Sequence, residues 1–230
     1  MPALDKILGG VTKPARYAGG EWNIQIKDWD STPVRIALAF PDIYEIGMSN
    51  LAIPILYEII NRQRGMLAER VYAPWIDMEK ALRESRLPLF SLETKHPIRD
   101  FDILGFSLGY ELTYTNVLNM LDLSGIPILA RDRDSYRDNA PYPLVIAGGG
   151  ACFNPEPMSD FIDLFVIGEG EEVVLELFEL YKNHKEQGQK RPPKMEFLRQ
   201  AANIAGIYVP QFYQAQYYED SGILKSFNPV

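Results

Sequence analysis

At 230 residues, 47% of them hydrophobic, the chain can bury a full core, and its length allows one large domain or one domain plus an extension. A formal net charge of −8 argues against a main surface built for the nucleic-acid backbone, whose affinity comes from clustered Lys and Arg. A single cysteine, Cys152, excludes a disulfide framework and a cysteine-built metal or iron–sulfur site within these residues.

The N-terminus has no signal-like pattern, and no run reaches the roughly 18 apolar residues of a spanning helix, so the expected setting is a reducing cytoplasm without a membrane anchor. Residues 1–32 read as an irregular lead punctuated by Gly and Pro, with Tyr17 and Trp22 expected to pack on the domain that follows. The run VRIALAF, residues 34–40, is short and almost wholly apolar, as a strand buried on both faces of a parallel sheet is. Residues 48–62 follow as a helix with Leu51, Ile55, Ile59 and Ile60 on one face, Ser49 or Asn50 as cap, and Pro54 tolerated in an early turn.

The alternation continues with AERVYAP (68–74) as a strand, WIDMEKALRES (75–85) as a helix and DILGFSLG (102–109) as a strand running into glycine. TYTNVLNMLDLSG (113–125) is a helix closed by Gly125. IPILA (126–130), LVIAGGG (144–150) and DLFVIGEG (163–170) are strands, and residues 171–186 form an amphipathic helix, acidic at its start and basic at its end. Strands interleaved with helices across residues 33–186 predict a doubly wound, mostly parallel α/β sheet, whose ligands sit beyond the carboxyl ends of the strands. The edges SLGYE, AGGGA and GEGEE would then share one rim. From residue 187 the pattern changes to a polar linker, a short helix (195–206) and an aromatic-rich hairpin (207–227) turning at residues 220–222.

Other side chains carry weaker signals. Gly148–Gly150 and Gly168–Gly170 suit either tight strand-to-helix turns or close approach to a ligand. Glu169, Glu171 and Glu172 fall where a helix dipole favours carboxylates. Cys152 reads as a small buried hydrophobe, His96 and His184 as surface residues, and Asp42 with Glu45 as a carboxylate pair without an evident partner base. No P-loop, nucleophile-elbow or two-metal pattern is present.

The segments PDIYEIGMSNLA (41–52), DILGFSLGYELTYTNVLNML (102–121) and VIAGGGACFNPEPMSDFIDLFVIGEGEE (145–172) resemble, in order and spacing, the N-terminal cobalamin-binding-like domain of radical S-adenosylmethionine (radical SAM) proteins. The resemblance implies a flavodoxin-like fold with a small C-terminal extension leading towards a catalytic domain outside these residues. It also implies a cobalamin site lined by Asp42, Tyr44, Gly47, Ser107, Gly109, Gly148 and Gly149. In such domains an Asp-x-His-x-x-Gly loop supplies the cobalt ligand; here Tyr44 stands in the histidine's place, and Ser107-Leu108-Gly109 replaces a Ser-x-Leu. The [4Fe–4S] cluster of that family needs three thiolates and cleaves S-adenosylmethionine, so both belong to the catalytic domain, the implied partner of this one. The expectation is an accessory domain that binds cobalamin or has lost it. The competing one is an independent, non-catalytic α/β module for a partner protein or flavin.

Overall fold

The computed structural model describes residues 2–134, 142–186 and 191–229. Part of the expected linker, residues 187–190, lies outside them, as does Val230. The lead carries two short helices, α1 (Pro2–Leu8) and α2 (Ala15–Ala18). Then come β1 (Val34–Phe40), α3 (Tyr44–Ser49), α4 (Ala52–Asn61), β2 (Met66–Tyr72), α5 (Ile76–Ser85), β3 (Ile103–Ser107) and α6 (Tyr114–Leu123). After them follow β4 (Leu144–Gly148), β5 (Leu164–Val166), α7 (Gly170–Glu186), α8 (Lys194–Ala201), β6 (Ile207–Tyr208), β7 (Tyr213–Tyr217) and β8 (Leu224–Pro229).

One six-stranded sheet runs in the order β2-β1-β3-β4-β5-β6, parallel throughout except for β6, which pairs antiparallel with β5. The first five strands have the flavodoxin-like order, with its switch between β1 and β3. Alternate side chains of β1 feed two cores. Ala37 and Ala39 face α1, α5 and α6, through Ile7, Met78, Leu82, Val117 and Leu121. Val34, Ile36, Leu38 and Phe40 face α4, α7 and α8, through Ile53, Tyr57, Leu177, Phe178 and Phe197. Helices on both faces explain why these strands read as unbroken apolar runs.

Carboxylates fix the starts of the strands. Asp102, just before β3, accepts the Arg35 N–H of β1 at Oδ2 (3.0 Å), and Asp163, just before β5, accepts the Val145 N–H of β4 at Oδ2 (2.8 Å). On the outer edge, β2 is covered by a loop: Leu92 N–H donates to Arg70 O (2.7 Å) and Arg70 N–H to Glu93 Oε2 (2.7 Å). Edge strands left bare invite pairing with other chains. The lead joins this cover, with Lys27 Nζ donating to the carbonyls of Asn61 and Met66, each at 2.6 Å.

Several expectations need correction. IPILA is not a strand. Ala130 N–H donates to Asp160 O, and Arg133 Nη1 takes the carbonyls of Pro127 and Ile128, so this backbone is satisfied off the sheet while β3 pairs directly with β4. The single helix over residues 48–62 is two, broken at Asn50, whose Oδ1 accepts the Ala52 N–H (2.9 Å). The buried face of α4 is Ile53, Tyr57 and Ile60, and Leu51 and Ile55 are exposed.

Trp22 does not pack on the domain; it is fully exposed, and Trp29 takes that role, stacked on His96 at 3.7 Å. His184 is buried, not a surface residue, meeting Gln200 Oε1 at 3.1 Å, and His96 is half-buried beside Thr94. Residues 194–209, grouped above with the extension, are built into the second core through Phe197, Leu198, Ala201 and Val209, so the β7–β8 hairpin alone forms a separate sheet. Gly222, at φ 67°, closes its turn within the predicted span.

Candidate functional site

The carboxyl ends of β3, β4 and β5 meet at one rim. Ser107 pairs with Gly148 across β3 and β4. Beyond them Leu108 N–H donates to Gly148 O (2.7 Å) and Ala151 N–H to Leu108 O (3.0 Å). Gly149 sits at φ 110°, where a side chain's Cβ would lie 2.5 Å from Leu108 O. The approach of that carbonyl therefore requires glycine.

Between this rim and the helices opens a cavity of about 240 Å³. Its mouth is formed by Ser107, Gly148, Gly149, Gly168, Glu169 and Gly170, and its walls by Ile53 and Leu56 of α4 and Val174 and Phe178 of α7. The floor is Leu38, Ile146 and Val166, kept low by Gly105, which places no side chain in the middle of β3. The lining is apolar except at the mouth, which suits a ligand whose buried part is uncharged.

Of the seven residues expected to form the site, the structure brings Ser107, Gly148 and Gly149 to this cavity. Asp42 lies nearby but is spent on the loops themselves: Oδ1 accepts the Ile43 N–H and Oδ2 the Tyr110 hydroxyl, each at 2.7 Å. Gly109 is exposed, with open space where a side chain would stand. Tyr44 turns away under the lead, where its hydroxyl donates to Glu21 Oε1 (3.1 Å) and its ring meets Tyr72 edge-on at 5.6 Å. Burial raises its pKa and Glu21 adds to the rise, so the phenol stays neutral.

Gly47 serves packing rather than the rim, because a Cβ there would run into the Tyr72 ring. Gly47→Ala is accordingly expected to lower stability by about 1–3 kcal/mol, read as a shifted urea midpoint. A Tyr72→Ala background should remove most of that loss.

Asp42 and Glu45 do not work as a pair. Glu45 is held by Arg16 (2.9 Å) and Lys13 (3.2 Å) of the lead. Cys152 is buried, and burial pushes its thiol up to about 12, which leaves no reactive thiolate. Among the described residues no three His, Cys, Asp or Glu side chains are grouped as metal ligands. Nor is any helix among them long and apolar enough to cross a membrane.

Charge separates the two ends of the sheet. The loops at its carboxyl end, residues 41–51, 73–77, 108–113, 149–159 and 167–172, carry carboxylates, including Glu111, Glu169, Glu171 and Glu172, and no lysine or arginine. Arg16 and Lys13 of the lead reach this end too, but both are held on Glu45, so the rim stays acidic on balance and favours an uncharged ligand over an anion. Large exposed apolar residues stand among these carboxylates, notably Leu112 and Phe153. Sequence reasoning missed the cavity walls on α4 and α7, because α4 is apolar on more than one side and its spacing does not mark the face of Ile53 and Leu56.

The family model described as "Radical SAM proteins, N-terminal" matches residues 52–210. An uncharacterized protein of Methanocaldococcus jannaschii is 23% identical over 145 residues, 62% of this chain and 26% of that protein. The chain thus spans about a quarter of that relative's length. No solved structure matches.

Proposed function

Because the chain belongs to the family of N-terminal domains of radical SAM proteins, we propose that it is an accessory domain whose glycine rim binds cobalamin beside the catalytic part of a longer cytoplasmic protein. The observation that carries this reading is the convergence of three glycine-bearing strand ends on an apolar cavity whose surrounding loops have no cation. A corrin with amide arms is extended and mostly uncharged, which fits that rim. A cavity of about 240 Å³ encloses only part of such a group. Ser107, Gly148 and Gly149 would hold it by close backbone approach.

Tyr44 would not ligate cobalt, since its neutral hydroxyl is engaged by Glu21. When bound, cobalamin supplies methyl-transfer or radical-rearrangement chemistry. The [4Fe–4S] cluster and S-adenosylmethionine would be held by the catalytic part, because one buried cysteine offers no three-thiolate set. A flavin is disfavoured because the loop after β1, residues 41–50, offers only Ser49 where a Ser/Thr-rich phosphate loop is expected. The hairpin supports the partner half of the reading: Tyr217 and Leu224 at its strand ends and Tyr218 and Ile223 in the turn between them are all at least half exposed, on a two-stranded unit that a partner would need to stabilise.

The test is titration of the purified chain with hydroxocobalamin and methylcobalamin, following the visible spectrum and the colour that survives gel filtration. One retained equivalent is expected, with a spectrum lacking a histidine ligand. Ala52→Trp, an exposed position on the cavity wall, should abolish retention without unfolding the chain. Colour that washes away from the wild type, or that persists in Ala52→Trp, would count against the rim as the site.

A further inference from the structure

At the end of the sheet opposite the glycine rim, we infer that Arg35, Lys185 and Arg191 form a site for a phosphate-type oxyanion, free or as the phosphoryl group of a small molecule. The three cations converge on one carboxylate. Asp102 Oδ1 receives Lys185 Nζ at 2.8 Å and lies 3.7 Å from Arg191 Nε, and Oδ2 lies 4.0 Å from Arg35 Nε. Asp102 is 6% exposed, Lys185 and Arg191 13% each, and Arg35 is partly open at 23%. Three positive charges against one negative leave an excess of two, in surroundings where unpaired charge is costly.

Two further observations point the same way. Arg191 Nη2 donates to Phe101 O at 2.6 Å, but Nη1 is buried without a hydrogen-bond partner among the described residues. Burial lowers the pKa of Lys185, and Arg35 and Arg191 lower it further against the pull of Asp102. Three groups in contact among the described residues are uncharged. Tyr181 is kept neutral by burial, Trp29 lies with its ring 4.7 Å from the Arg35 guanidinium, and Arg35 Nε donates to the carbonyl of Thr32 at 3.3 Å. A phosphate dianion matches the excess in charge, and its oxygens accept from guanidinium forks and an ammonium together.

The experiment titrates the full chain with inorganic phosphate and with phenyl phosphate, against chloride at matched ionic strength. It reads the phosphorus NMR line width and the unfolding midpoint. Saturable one-site binding of inorganic phosphate is expected, displaced by sulfate, with a rise in midpoint that chloride does not reproduce. Binding of both probes assigns the site to a phosphoryl group; binding of inorganic phosphate alone assigns it to the free ion. Lys185→Met should weaken binding by about tenfold or more, Lys185→Arg should retain it, and Lys225→Met in the hairpin should leave it unchanged. If Lys185→Met does not fold, Arg35→Gln carries the same test. Equal midpoints in phosphate and chloride, or wild-type affinity in the folded charge-removing variant, would overturn the site.

Discussion

Replacing Arg70 with methionine is expected to cost about 3–5 kcal/mol of folding free energy above pH 7, because it strands a buried carboxylate there. Arg70 is an arginine inside β2, its side chain 1% exposed. Its Nε and backbone N–H both donate to the carboxylate of Glu93 at 2.7 Å, and its guanidinium lies 4.5 Å from the centre of the Tyr57 ring. Nη1 reaches Asn23 Oδ1 at 3.4 Å and Nη2 stands 3.8 Å from Glu21 Oε2, so the same side chain ties the lead to the edge strand.

Burial raises the Glu93 pKa from 4.5 to about 7, against the opposing pull of Arg70. Between those values the folded chain holds a proton that the unfolded chain has lost. This group's contribution to stability therefore falls as pH rises from 4.5 through 7, and is level outside that window. Glu93→Gln should remove that slope from a pH series of urea midpoints. The Arg70→Met deficit should grow as pH rises above 7, where the folded chain carries an ionised Glu93, and level off below it, where Glu93 is protonated in the folded state. A loss below about 1 kcal/mol above pH 7, within the range of ordinary substitutions, would mean that this cluster does not hold the edge.

Gly149→Val is expected to cost about 3 kcal/mol, from left-handed backbone strain together with the clash against Leu108 O. Gly168 provides the internal comparison. Its φ is 103°, but nothing lies within 4 Å of a Cβ there, so Gly168→Val meets the strain without the clash. Denaturant midpoints of the two variants should differ in that order. Equal losses would show that the Leu108 carbonyl yields readily, and the rim would then be softer than its hydrogen bonds suggest.

How far such features can be read from the sequence depends on whether they are local. The strands β1, β3, β4 and β5 announce themselves because helices on both faces demand apolar side chains in both directions. IPILA has the same composition and misleads, since its fate depends on Arg133 and Asp160, which only the tertiary structure brings near. The helix α4 is apolar on more than one side, so periodicity does not single out the face of Ile53 and Tyr57 over that of Leu51 and Ile55. The Arg70 cluster draws on the lead, β2 and the loop after α5, and no spacing rule links those segments. At the rim the glycines mark where strands end, whereas the depth of the cavity is set by Gly105 on one element and by Val174 and Phe178 on another. Tyr44 occupies the expected position of a ligand in the chain, but Glu21 draws its hydroxyl elsewhere.

The carboxylates of Asp102 and Asp163 act at the end of the sheet where the strands begin. Strands stapled where they begin have their register set from that end, independently of the glycine-rich turns at the other. The sheet is like a book bound along one edge: the binding keeps its register, and the pages can be rewritten at the other edge without unbinding it. Changes confined to the glycine-rich loops would leave the pairing of β1, β3, β4 and β5 as a fixed foundation beneath them.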